Sequence, residues 1–139
     1  MPTVADTVGA VVVIDASAIV TLLIDPGEHG ESVAERLAHS TLIAPTLLPF
    51  EVANVLRRRR NSGLLSPAEA QLAHDELLRL PIELWPWEPP AQRSWQLGPN
   101  LSSYDAAYVA LAELVGAPLV TRDSRLASAP GPRCPVELV

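Results

Sequence analysis

The stretch VVVIDASAIVTLL, residues 11–23, carries a single charge. Asp15 sits at its centre, between a β-branched run and a second apolar run. Residues 11–14 read as a strand covered on both faces, because such strands are apolar throughout instead of alternating. Residues 17–24 read as a short helix, stopped by DPG at 25–27. Asp15 thus falls where a buried strand gives way to a helix. Burying a carboxylate there without a partner costs on the order of several kcal/mol.

Strand and helix signals alternate along the rest of the chain. Residues 32–39 read as a helix, with Val33 and Leu37 one turn apart, and TLIA at 41–44 as a short strand. Residues 49–61 form a helical pattern with Val52, Val55 and Leu56 on one face, and Gly63 ends it. SPAEA at 66–70 is a capping box: Ser66 is the cap, Pro67 the first helical residue, and Glu69 lies three residues on. The helix it opens carries Ala68, Leu72, Ala73, Leu77 and Leu80 at helical spacing. IELW at 82–85 is a strand, and Pro89 and Pro90 open a short helix to Leu97. Residues 102–115 form another helix, with Tyr104, Ala107, Tyr108, Leu111 and Val115 as its apolar stripe. PLVT at 118–121 and VELV at 136–139 are the last strands. There is no repeat and no dividing linker, so one domain over 1–139 with one core is expected. The alternation specifies an α/β class with a mainly parallel central sheet of about five strands. In such sheets ligands bind beyond the carboxyl ends of the strands.

Composition removes several chemistries. The 139 residues are 48% hydrophobic, enough to bury a core. One cysteine, Cys134, permits neither an internal disulfide nor a cysteine metal cage. All ten basic residues are arginine, which excludes a GKS or GKT phosphate loop and a Schiff-base lysine. His29, His39 and His74 are scattered and support no Ser–His–Asp hydrolase. The net charge of −6 argues against a general nucleic-acid coat protein, though not against a nuclease whose metal site needs acids. The opening MPTVADTVGA has no positive region, and acids interrupt the first apolar stretch. Neither a signal peptide nor a membrane span is expected, and a cytoplasmic location is the simplest reading.

Four acids share one kind of position. Asp15 and Asp123 follow strand ends, while Glu51 and Asp105 lie in first turns of helices. Each has a bland explanation. Acids oppose the helix dipole, typically by about 0.3–1 kcal/mol, and Ser102 with Asp105 reads as a capping pair. Together they point elsewhere, because those positions share one edge of a parallel sheet. Two carboxylates ~4 Å apart repel by about 4 kcal/mol at an effective dielectric of ~20. A hard divalent cation removes that cost, and oxygen donors without a His or Cys cluster suit Mg²⁺ or Mn²⁺. Such a site serves phosphate chemistry.

The pieces VIDASAIV, PFEVANVL, LSSYDAAYVALA and LVTRDSRL occur in that order across nearly the whole chain. The set resembles the PIN-domain ribonucleases, and most closely the toxins of VapBC-type toxin–antitoxin pairs. The resemblance implies a PIN-like three-layer fold and a metal-dependent endoribonuclease that cleaves RNA and blocks translation. It implies that Asp15, Glu51, Asp105 and Asp123 form the acidic pocket, and that Ser17 and Thr121 brace it. Asp15, Asp105 and Asp123 would hold the metal, directly or through water. Glu51 would orient water or help hold a second ion. Leu126, three residues after Asp123, also fits. Family members usually form homodimers and are silenced by a small antitoxin that covers the pocket. Residues 1–10 precede the family's usual start and form an N-terminal extension.

With no lysine, an RNA-binding surface must be local and built from arginine. RRRR at 57–60 offers RNA contact through Arg57, Arg58, Arg59 and Arg60, or else complements a helix end. Consecutive residues fan around a helix, and Arg60 stands about 14 Å along the axis from Glu51. These side chains therefore suit flanking RNA instead of the scissile phosphate. WPWEPP at 85–90, with Trp95, suits core packing or a protein interface better than base stacking. Two rival readings remain. One is a Mg²⁺-dependent phosphatase using Asp15 as nucleophile, against which Ala16-Ser17 stands in place of the second Asp of a D-x-D motif. The other is a non-catalytic module of the same fold, against which the complete set of four acids stands.

Overall fold

Val11–Ile14 forms β1, the central strand of a five-stranded sheet in the computed structural model, which describes residues 9–139. Neighbours on both sides explain its apolar run: Val12, Val13 and Ile14 are fully buried. The other strands are β2 (Thr41–Pro45), β3 (Ile82–Trp85), β4 (Leu119–Thr121) and β5 (Val136–Leu138). Their order is β3-β2-β1-β4-β5, and every pairing is parallel. Val13 lies opposite Ile43 on one side and Leu119 on the other. Pairing begins ahead of β1, where the Thr41 N–H and hydroxyl bond the carbonyls of Ala10 and Gly9. The rest of the expected N-terminal extension, residues 1–8, lies outside the described residues.

Seven helices flank the sheet among the described residues: α1 (Ala16–Ile24), α2 (Glu28–Leu37), α3 (Leu48–Asn61), α4 (Pro67–Arg79), α5 (Ala91–Gln96), α6 (Ser103–Val115) and α7 (Ser124–Ser128). α1 packs on α2, α3 and α4, while α6 packs on α5 and on β1, β2 and β4. α6 is the most enclosed of these helices. Ala106 to Ala112 are buried without interruption, and the alanines let the helix approach the sheet closely. It ends on Gly116 at φ 68°, a left-handed cap that costs glycine little. None of these helices is long and apolar enough to cross a membrane.

The structure departs from the sequence reading in four places. α2 starts at Glu28, four residues early, because Gly27 caps it and the Asp25 carboxylate accepts the Gly27 N–H at 2.7 Å. α7 has no counterpart in the sequence reading, since five residues are too few to show a period. Tyr104 is exposed, so the stripe expected on α6 is really a whole buried segment beginning at Ala106. On α4 the buried face runs through Ala70, Ala73 and Leu77, and Leu72 points to solvent.

The topology positions the site. From β1 the chain moves to β2 on one side, and β4 fills the other side. The order therefore reverses between β1 and β4, and ligands in open parallel sheets bind in the crevice at such a reversal. Asp15 follows β1 and Asp123 follows β4.

Candidate active site

Asp15 caps α1 and is 6% exposed. Three donors hold its carboxylate. Oδ1 accepts from the Ser17 hydroxyl at 2.6 Å and from the Ala18 N–H at 3.0 Å, and Oδ2 accepts from the Thr121 hydroxyl. Each hydroxyl is itself fixed by the β4–α7 turn. Ser17 Oγ accepts the Arg122 N–H at 2.9 Å, and Thr121 Oγ1 accepts the Asp123 N–H at 2.9 Å. The ends of β1 and β4 are thus sewn together through two side chains. Burial still pushes the Asp15 carboxyl above its ordinary range, against the pull of these hydrogen bonds, and the charge of Asp105 adds to the rise.

Glu51 lies half-buried in the first turn of α3, and its Oε1 accepts the Tyr108 hydroxyl at 2.6 Å. Burial raises its carboxyl, the tyrosine lowers it, and the charges of Asp105 and Asp15 raise it further. Asp105 sits in the first turn of α6, where its N–H bonds the Ser102 hydroxyl at 3.1 Å. This is half of a capping box. In the full box on α4 the Ser66 N–H also bonds the Glu69 carboxylate. The Asp105 carboxylate receives no such bond from the Ser102 N–H. Burial, then the charge of Asp123, raises it, against the pull of the Ser102 side chain and the charge of Arg125. Asp123 caps α7 and differs from the other three. The Arg125 guanidinium at 3.2 Å holds its carboxyl below the ordinary range.

The four acids therefore act on one another through space, with Arg125 beside Asp123 as the cation among them. Their donors are all oxygen, which suits Mg²⁺ or Mn²⁺. Among the described residues no three His, Cys, Asp or Glu side chains stand close enough together to hold an ion directly. An ion here would thus be held partly through water, as Mg²⁺ usually is.

Two participants escape the sequence reading. Tyr108 looks like a core residue, and it is fully buried, yet its hydroxyl holds Glu51. The available signal was a tyrosine three residues after Asp105, on the same helical face. Arg125 carried no signal beyond its closeness to Asp123. The arginine run is split by the helix that bears it. Arg58 and Arg59 join Arg122 in a cleft of ≈ 520 Å³ that includes Ser17, whereas Arg57 and Arg60 turn toward α4 and His74. Of the tryptophans, Trp85 packs against the core, and Trp87 and Trp95 are exposed.

The PIN domain family matches residues 12–132. Ribonuclease VapC12 of Mycobacterium tuberculosis is 40% identical over 128 residues, covering 92% of this chain and 98% of that one. Ribonuclease VapC1 of the same organism is 41% identical over 128 residues, covering 91% and 96%. Among solved structures, the Mycobacterium tuberculosis VapC20, a Sarcin-Ricin loop cleaving toxin, superposes with a TM-score of 0.65 at 13% identity, over 84% of this chain and 93% of that one. At that identity the superposition speaks for the fold.

Proposed function

The chain belongs to the PIN domain family and to its VapC ribonucleases, and from that premise we propose that it is a divalent-metal-dependent endoribonuclease toxin. One observation carries the proposal. A buried aspartate at the β1/β4 reversal is clamped by Ser17 and Thr121, beside Glu51 and Asp105, whose carboxyls burial and neighbouring acids both raise. A cap needs one accepting oxygen, and Asp15 has both engaged and aligned.

In this reading Asp15, Asp105 and Asp123 would hold Mg²⁺ or Mn²⁺, directly or through water. When bound, the ion supplies an activated water and neutralises charge on the phosphate. The protein's part is to fix the donors. Ser17 and Thr121 orient Asp15, and Tyr108 aims Glu51 and favours its charged form, so that it can accept a proton from water. Arg125 balances the charge of Asp123. Arg58, Arg59 and Arg122 offer phosphate contacts on the flank, where RNA would pass.

The partners belong to the same proposal: RNA as substrate, a small antitoxin that covers the acidic pocket, and a second copy of the chain. Leu64, Leu72 and Leu78, exposed on and before α4, leave apolar surface for a protein partner. A cytoplasmic location follows from a toxin acting on translation.

The test is cleavage of purified total RNA by wild type in Mn²⁺, by wild type in EDTA, and by Asp15→Asn in Mn²⁺. Cleavage is expected only in the first. If folded Asp15→Asn cuts at the wild-type rate, the assignment falls.

A further inference from the structure

Aromatic side chains usually serve the core, yet four of the six here stand in the open. Phe50 is 78% exposed, Trp87 52%, Trp95 81% and Tyr104 64%. Two are chain neighbours of pocket carboxylates: Phe50 precedes Glu51, and Tyr104 precedes Asp105. The other two line a cleft of ≈ 670 Å³, together with Ser94, Leu101 and Ser102. Ser102 connects that cleft to the acidic pocket, because its hydroxyl accepts the Asp105 N–H. Ser94 is 2% exposed, and its hydroxyl has no hydrogen-bond partner among the described residues.

The cleft is also held rigidly to the pocket. Arg93, two residues before Trp95, bonds Glu113 of α6 through Nε at 2.7 Å and Nη2 at 3.3 Å, and the Gly131 carbonyl at 3.1 Å. α6 carries Asp105 at its other end. Trp95 and Asp105 thus ride on two helices bolted together, the kind of preorganisation that spares a ligand the cost of ordering its site.

We propose that this cleft is a nucleobase subsite: it takes one unpaired base of a single-stranded RNA segment against the indole of Trp95. The inference rests on the ribonuclease reading above. A nucleotide joins an anionic phosphate to a flat apolar face through one sugar. With Mg²⁺ held by its acids the pocket would accept the phosphate, and the adjoining cleft suits the face. A partner protein also seeks exposed tryptophan, and that occupant is the contrary outcome below.

The experiment compares Asp15→Asn with Asp15→Asn/Trp95→Ala, so that RNA is held in Mg²⁺ without being cut. The probes are labelled eight-nucleotide oligo-A and oligo-U, and an abasic ribose-phosphate chain of the same length. The parent should bind the base-bearing oligomers more tightly than the abasic chain. Trp95→Ala should weaken base-bearing binding roughly 5- to 160-fold, the range expected for one stacked base, and leave abasic binding unchanged. Trp95→Phe should keep most of the affinity. Equal binding of base-bearing and abasic chains by the parent overturns the subsite, as does an unchanged Kd after Trp95→Ala. If that unchanged Kd comes with a loss of dimer in sedimentation, the face joins two copies of the chain instead. These outcomes leave the ribonuclease reading standing if wild type cuts total RNA in Mn²⁺. Failure to bind and failure to cut together overturn both.

Discussion

Asp15 is the residue on which the account turns, because its surroundings do two opposed things. Burial disfavours its charge, and three donors favour it. The net result is a carboxyl held above its ordinary range, chiefly by burial. Glu51 is held the same way by a single donor, Tyr108. Tyr108→Phe removes that donor and keeps the ring. Because the hydroxyl lowers the Glu51 carboxyl, its loss should move the acidic limb of the pH–rate profile for RNA cleavage to higher pH. Stability at neutral pH should fall by about 1.5 kcal/mol, the low end for a hydrogen bond to a charged group, since Glu51 is half-exposed. An unmoved pH profile would mean that Glu51 takes no part in the reaction. The sequence hid this contact for a plain reason. A helical stripe says that the Tyr108 ring is buried, and nothing in a stripe says where its hydroxyl ends. The four acids were legible because carboxylates next to apolar strands and in first turns are conspicuous, and one of the four, Asp15, is indeed deeply buried.

Among the elements, periodicity was informative and order was not. The run at 11–14 and the stripes at 49–61 and 102–115 specified a parallel α/β sheet, because continuous burial and a 3.6-residue period are written locally. The β3-β2-β1-β4-β5 order is set by packing between distant segments and leaves no local mark. The reversal between β1 and β4, which puts Asp15 and Asp123 on one crevice, therefore became visible only in the structure. α5 shows how a short element is secured. Its six residues could not hold a position alone, and the Arg93–Glu113 pair fixes them on α6, with the Arg133 N–H also on Glu113 at 2.9 Å. The pair is forked and largely enclosed, so it outweighs an ordinary surface ion pair. Arg93→Ala should lower stability by about 1.5–3 kcal/mol in a denaturant melt. A change below about 0.5 kcal/mol would show that α5 is held by its apolar contacts alone.

At the scale of the molecule the acids set a pH dependence opposite to habit. Asp15, Glu51 and Asp105 hold protons more tightly folded than unfolded, chiefly through burial. Above their ordinary values of 3.8 and 4.5 the folded chain therefore carries more protons, and stability falls as pH rises toward neutrality. Asp123, Glu113 and Glu137 run the other way. Their carboxyls are lowered, so their contribution is complete above the ordinary values and is lost only as pH drops below them. In EDTA the melting temperature should consequently be higher at about pH 5 than at about pH 8. A steady rise over that interval would show that the three carboxyls are not held above their ordinary range in the folded chain.

The central claim is that these acids form one ion-holding pocket and are not separate helix caps. Asp105 tests it best, because Ser102 gives it the strongest capping alternative. Loss of a cap residue costs about 0.5–2 kcal/mol. Loss of a charge held above its ordinary pKa relieves the folded state instead. The measurement is a thermal melt of wild type and Asp105→Asn in EDTA and across a Mn²⁺ titration. Asp105→Asn should melt at or above wild type in EDTA. Wild type should gain about 2.7 kcal/mol at 100-fold over its dissociation constant, and Asp105→Asn much less. If Asp105→Asn instead melts lower in EDTA and both proteins respond equally to Mn²⁺, Asp105 is a cap and the pocket does not exist as described.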